Sequence, residues 1–246
     1  MQVLPILNNN NYKISANTQF KSTSRCVFNS NKQIICNYTK FFREDLEWKN
    51  FVELLSKKYN NASRINIMNT ACSDGSEPVT LMTKLLFTLK EKAQKFFPIY
   101  ASDIDDKIIE EASSYEYKIN EDDLFRVNMN LGHYSNYFSI VSNSNINFPY
   151  KLLLNQKHCA NIVFNQMDMI QAANNIKSQN NVILCRNVIP YLSYPKQERF
   201  VDTLAEKLDS TSLIVLGAYD NGHGIDGLVR SRGFKSYGLE NVYCKC

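Results

Sequence analysis

The sequence lacks the features that mark a membrane-embedded, disulfide-bonded or nucleic-acid-coating protein. It has no run of about eighteen apolar residues, so no transmembrane helix and no membrane insertion are expected. The opening stretch, MQVLPILNNNNYK, has a short apolar start but neither a basic leader nor a clear cleavage site, so no signal peptide is read. Histidine is scarce, and His133, His158 and His223 lie far apart without ligand spacing, so no metal site is expected. Only 8 glycines occur and none falls in a G-x-G-x-x-G pattern, which argues against a dinucleotide phosphate. The 7 cysteines, at 26, 36, 72, 159, 185, 244 and 246, are odd in number and dispersed, which fits reduced thiols and a cytoplasmic location. Cys244 and Cys246 are too close and too isolated for zinc. A large excess of one charge is also missing. The 28 basic and 24 acidic residues leave a net charge of +4 with no Lys/Arg run, so no nucleic acid partner is expected.

What is present suits one α/β domain with a sizeable core, since 44% of the 246 residues are hydrophobic. Residues 1–36 are polar and rich in Asn and Ser, and read as an extended, weakly ordered arm. From Phe41, FFREDLEWKNFVELLSKKY has helical periodicity. Strand-like segments at 64–69, 98–102, 161–167 and 182–185 and in SLIVLGAY alternate with helical ones, and FKSYGLENVYCKC suits antiparallel closing strands. That alternation predicts a mostly parallel sheet with right-handed crossovers. Residues 118–160 lose the regularity and read as an irregular, partly β insertion.

In such sheets a ligand sits outside the carboxyl ends of the strands. The segments to inspect are then Ala71–Glu77, Asp103, Asp168–Met169, Arg186–Tyr191 and Gly217–Asn221. The loop ACSDGSEP opens a helix with small residues and an acid, Glu77, which would repel a pyrophosphate and suit the ammonium of an aminoacyl ligand. Alone, it is equally a tight βα turn. Asp103, in YASDID, stands where an acid accepts two ribose hydroxyls, or it caps the next helix; Asp105 reads as a first-turn acid. In CRNVIPY, Arg186 and Asn187 follow an apolar strand, and Asn187 offers both donor and acceptor, or caps the following turn.

NYTKFFRE, ACSDGSEP, ASDID and CRNVIPY, in this order, resemble the signatures of the CheR chemoreceptor methyltransferases over residues 37–246. The resemblance implies a Rossmann-like class I fold that binds S-adenosylmethionine (SAM) and O-methylates a glutamate of a receptor-like protein in chemotaxis. It implies that Asn37, Thr39 and Arg43 reach the cofactor and reaction centre, that Glu77 contacts the methionine part, that Ala71 belongs to the cofactor site, and that Asp103 binds the ribose. Asp168 and Met169 would flank the adenine, Asn187 and Val188 would complete the cofactor site, and Tyr191 would lie near the reacting methyl. With a carboxylate acceptor, Arg43 is the candidate orienting cation and Tyr191 a candidate hydrogen-bond partner. The sequence departs from the family in Asp74-Gly75-Ser76, in Asp168-Met169 where Asn-Leu is usual, in Pro190, and in having no counterpart of the basic helical N-terminal domain within residues 1–36. These departures keep two alternatives open: a non-catalytic SAM-binding scaffold, or a methyltransferase with another acceptor. A monomer is expected.

Overall fold

The computed structural model describes residues 39–176 and 179–246, together with the backbone of three short strands, β1 (Gln2–Val3), β2 (Arg25–Phe28) and β3 (Ile34–Asn37). These three pair antiparallel in the order β1-β3-β2. The elements that follow are α1 (Trp48–Lys58), β4 (Asn66–Thr70), α2 (Ser76–Leu89), β5 (Ile99–Asp103) and α3 (Asp106–Ser113). Next come β6 (Glu116–Ile119), α4 (Glu121–Leu131), β7 (Phe138–Asn145), β8 (Phe148–Leu154), β9 (Ile162–Gln166) and α5 (Met169–Asn174). The chain ends with β10 (Asn181–Leu184), α6 (Tyr194–Lys207), β11 (Leu213–Val215), α7 (Ala218–Gly222), α8 (Ile225–Ser231), β12 (Phe234–Tyr237) and β13 (Leu239–Lys245).

The central sheet has seven strands in the order β12-β13-β11-β10-β4-β5-β9. The five strands from β11 to β9 run parallel, and β13 enters antiparallel between β11 and β12. This is the Rossmann-like α/β sheet with an antiparallel closing strand expected from the alternation of strands and helices. Burial on both faces follows from the period-two alternation of strand side chains. Val182 and Leu184 of β10, Leu213 and Val215 of β11 and Val242 of β13 join a core with α1 and α2. Their neighbours Ile183, Ile214 and Tyr243 join a second core with α5, α6 and α8.

Two boundaries differ from the sequence expectation. The first helix begins at Trp48 and not at Phe41, because Phe42 has φ 48° and cannot continue a right-handed helix. Residues 39–47 instead form a strap. Phe41 and Phe42 are buried, the Phe42 N–H donates to Thr80 Oγ1 at 3.2 Å, and the Trp48 indole donates to the Arg43 carbonyl at 3.0 Å. The segment VTLMTKLLFTLKEKAQKF has helical periodicity to its end, but the α-helix breaks at Lys90, where φ reaches 54°, and the chain continues as a 3-10 helix over Lys90–Phe96. Between α3 and β9 the chain builds a small antiparallel sheet, β6-β8-β7, with α4 packed beside it. Arg126 of α4 donates to the Phe41 carbonyl at 3.2 Å and so ties this substructure to the strap. Among the described residues, no helix is long and apolar enough to cross a membrane.

Candidate active site

The carboxyl ends of β4, β5, β10 and β11 lie side by side, because these strands are parallel and close in the sheet. Three non-glycine residues there, Ala71, Ser73 and Asn187, have φ of 54°, 53° and 58°. Backbone held in that region costs of order 1–3 kcal/mol per residue and clusters at functional sites.

The centre of the group is Arg186, whose side chain is fully buried. Its guanidinium donates to Glu77 at the start of α2 and to Asp45 in the strap, and stands 5.2 Å from the centre of the Trp48 ring. Glu77 also accepts from Asn69 Nδ2 at 2.9 Å. The carboxylate expected to meet an ammonium is therefore already shared by a cation and an amide. Asp45 accepts in addition from Asn187 Nδ2 at 2.8 Å and from the Ala218 N–H at 3.2 Å, and its own carbonyl accepts from Asn241 at 2.8 Å. Burial works against ionisation of Asp45, but the charges of Arg186 and Arg43 with the hydrogen bonds from Asn187 and Ala218 prevail. Its pKa falls below the ordinary carboxylate value.

Asn187 is held from several sides. Its Nδ2 faces Asp45 and its Oδ1 accepts from the Tyr219 N–H at 2.9 Å, which fixes the orientation of the amide. Gly217 is required beside it, since a Cβ at that position would overlap the Asn187 amide. Asp220, fully buried, accepts from the N–H groups of Asn187, Val188, Ile189 and Gly217, the last three at 3.1, 3.1 and 2.8 Å. Burial pushes its pKa up to about 6 in spite of these donors. Tyr191 is buried in the turn after β10, and its ring stacks on Tyr219 with centroids 5.0 Å apart and planes at 16°. Burial, then the hydroxyl of Tyr219, raise the Tyr191 pKa well above the phenol range, so it is a neutral donor and not a base. Arg43 lies 3.7 Å from Asp45 and acts on Tyr191 electrostatically.

Asp103 is 1% exposed, and its two oxygens accept from the Ser73 N–H at 3.0 Å and the Asp105 N–H at 3.1 Å. The helix cap is Asp105, which accepts from Lys107, so Asp103 is left to join the Gly75 loop to the end of β5. Asp105 thus stands one step before the first turn in which the sequence reading set it. Asp168 caps α5 by accepting from the Ile170 N–H at 2.8 Å, and Met169 packs into the second core. Both remain near Asp103, because the Met167 N–H donates to the Asp103 carbonyl at 2.8 Å. Val188 is buried, and Thr39 is half-buried at the start of the strap. Asn37 ends β3, and its side chain lies outside the described residues.

The residues present fit SAM. Among the described residues, Asn69 Oδ1, Ser73 Oγ and Arg186 Nε are buried with no hydrogen-bond partner. Such orphans cost about 1–3 kcal/mol each unless a ligand or water meets them. An acceptor and a donor flanking Glu77 match the ammonium and carboxylate of an aminoacyl group. Asp103, at the carboxyl end of β5, presents an acid of the kind that accepts ribose hydroxyls in such sheets. Sequence reasoning singled out the segments holding Arg186, Tyr219 and Asp220 but gave those side chains no role, and it passed over Asp45 altogether. The one signal for Asp45 is that it stands two residues after Arg43 in the strap segment.

Residues 37–233 match the family model described as the CheR methyltransferase, SAM binding domain. The chain is 28% identical over 207 residues to a chemotaxis protein methyltransferase of Klebsiella aerogenes, covering 82% of this chain and 66% of that protein. It is 26% identical over 204 residues to chemotaxis protein methyltransferase 2 of Pseudomonas aeruginosa, covering 82% and 69%. The chain thus spans about two thirds of the length of the curated relatives it matches. Among solved structures, the magnesium protoporphyrin IX methyltransferase of Synechocystis with bound SAM aligns at 13% identity and a TM-score of 0.41, over 81% of this chain and 78% of that one. The family match spans the strap, the Gly75 loop, Asp103 and the Arg186–Tyr191 turn alike, and the chain belongs to the CheR methyltransferase family, whose SAM-binding domain it carries.

Proposed function

We propose that the protein transfers the methyl group of SAM to a protein carboxylate, with a glutamate of a receptor-like chemotaxis protein as acceptor. The observation that carries this reading is the set of groups on the acceptor side: a guanidinium, Arg43, and a phenol, Tyr191, held neutral. SAM supplies an activated methyl on a sulfonium, so an acceptor already ionised at pH 7 needs no general base and gives a neutral ester and S-adenosylhomocysteine (SAH). What the chain must do is orient the carboxylate in line with the methyl and exclude water. The fork of Arg43 matches a carboxylate, and the Tyr191 hydroxyl donates to it without adding charge. The titratable groups nearby are unsuited to be bases. Asp220 spends its lone pairs on four N–H groups, and the ring of Tyr219 separates His223 from Tyr191. Thr39, Ala71, Glu77, Asp103, Asp168, Met169, Asn187 and Val188 form the cofactor side of this reading, joined by Asn37. The names of the relatives in Klebsiella aerogenes and Pseudomonas aeruginosa support a chemotaxis acceptor.

The test is the chemistry of the product. Methyl transferred from labelled SAM to an acceptor protein should be released as methanol in alkali, because esters hydrolyse there. Arg43→Lys keeps the charge and loses the planar fork, and should lower turnover by about 10²-fold while leaving cofactor affinity nearly unchanged. An alkali-stable product made equally well by Arg43→Lys would exclude a carboxylate acceptor.

A further inference from the structure

Tyr191 gives the acceptor side one phenol. The fold sets a second beside it. Tyr219 is the second residue of α7, beyond the carboxyl end of β11, and Tyr191 follows β10, its parallel neighbour in the sheet. Their rings stack nearly parallel at 5.0 Å, and the two hydroxyls are close enough to interact. Tyr191 is 6% exposed, whereas Tyr219 is half-buried, so Tyr219 is the more open member of the pair. Its position is fixed on three sides. The N–H donates to Asn187 Oδ1 at 2.9 Å, the carbonyl meets His223 Nδ1 at 2.7 Å, and the His223 ring lies 4.0 Å from the Tyr219 ring on centroids.

We infer that Tyr219 is a third acceptor-binding residue, whose hydroxyl donates to the acceptor carboxylate together with Tyr191 and Arg43. The inference rests on the carboxylate reading proposed above. A carboxylate has two oxygens and about four acceptor positions, and on leaving water it needs several donors. One guanidinium and one phenol leave it under-satisfied; a second phenol on the same wall completes the set. The chemistry favours neutral donors here. The carboxylate loses its charge as the ester forms, so a strongly cationic pocket would hold the ionised ground state more tightly than the transition state and slow the reaction. Two phenols orient the acceptor without that penalty. The stack also serves geometry: Tyr219 is rigidly coupled to Asn187 on the cofactor side, so acceptor and cofactor share one frame.

If Tyr219 served only as packing, removing its hydroxyl would change nothing, because Tyr219→Phe keeps the stack. The experiment titrates SAH-loaded protein with a capped glutamate, N-acetyl-glutamate N-methylamide, followed by NMR, for the parent, Tyr219→Phe and Arg43→Ala. The expected result is that Tyr219→Phe weakens capped-glutamate binding about tenfold or more, the range for a hydrogen bond to a charged group. SAH affinity and melting temperature stay unchanged. Parent-like binding by Tyr219→Phe, with loss of binding in Arg43→Ala, overturns the role of Tyr219 and leaves the carboxylate reading standing. Absence of binding to the parent, or binding indifferent to both substitutions, removes the carboxylate reading and the role of Tyr219 with it.

Discussion

Arg186→Met tests whether the buried cation holds the site together. In the parent, the Arg186 side chain has no exposed surface, and its two partners, Glu77 and Asp45, are only 15% and 12% exposed. Removing one member of a buried pair costs about 3–5 kcal/mol, since the partner stays desolvated and unpaired. Methionine keeps an apolar stem of similar length and deletes the orphaned Nε, which offsets part of the loss. A destabilisation of roughly 3 kcal/mol follows, equivalent to a melting shift of about 6–12 °C in a chain of this size. The pH dependence gives a second reading. In the parent, Asp45 is held below its ordinary pKa, so its contribution is present above the unfolded value and lost as pH falls through the folded one. In the variant the largest opposing charge is gone, so burial weighs more heavily against Arg43, Asn187 and Ala218, the Asp45 pKa rises relative to the parent, and its contribution above the unfolded value shrinks. The gap between parent and variant should narrow on acidification. Denaturant titrations at about pH 3 and about pH 7, either side of the ordinary carboxylate value, measure both effects. A loss below about 1 kcal/mol that does not vary with pH would refute the picture of a desolvated ion triad.

Three further outcomes are expected. Asp220, raised to about 6, adds stability that is fully present below its unfolded pKa and lost as pH rises through 6; about two pKa units correspond to roughly 3 kcal/mol, and Asp220→Asn should abolish that slope in denaturation curves between pH 4 and pH 8. Asp103→Ala should cost about 2–4 kcal/mol of SAM binding by calorimetry, as for charged hydrogen bonds, while an unchanged affinity would restrict Asp103 to tethering Ser73. Gly217→Ala, at an ordinary φ, should fold but expel the Asn187 amide from its place, so SAM affinity should fall at least about tenfold; an unaltered affinity would show that the amide is not needed there.

Period-two and helical patterns in the sequence carried the sheet, because the alternation of Val182, Ile183 and Leu184 between two cores is a local property of the chain. The same holds for the strand-end rule, which pointed to the segments that now line one edge of the sheet. What the sequence hid is long-range. Asp45 meets Arg186 across 141 positions and Asn187 across 142, and nothing local distinguishes it from Glu44, which lies 62% exposed on the side chain and pairs with Arg126. The strap was misread as helix because FFREDLEW has helical spacing, while burial of Phe41 and Phe42 forces a turn that periodicity does not record. Tyr219 was hidden for a similar reason, since its relation to Tyr191 exists only because β10 and β11 are neighbours.

The central claim is that SAM is bound at the carboxyl edge of the sheet by the groups gathered there. A crystal structure of the complex with SAH tests it most directly. The account predicts ribose hydroxyls within hydrogen-bond distance of Asp103, the aminoacyl end against Asn69, Glu77 and Arg186, and the sulfur turned towards Tyr191 and Arg43. SAH seated elsewhere, or with its aminoacyl end remote from Arg186 and its ribose remote from Asp103, would contradict it.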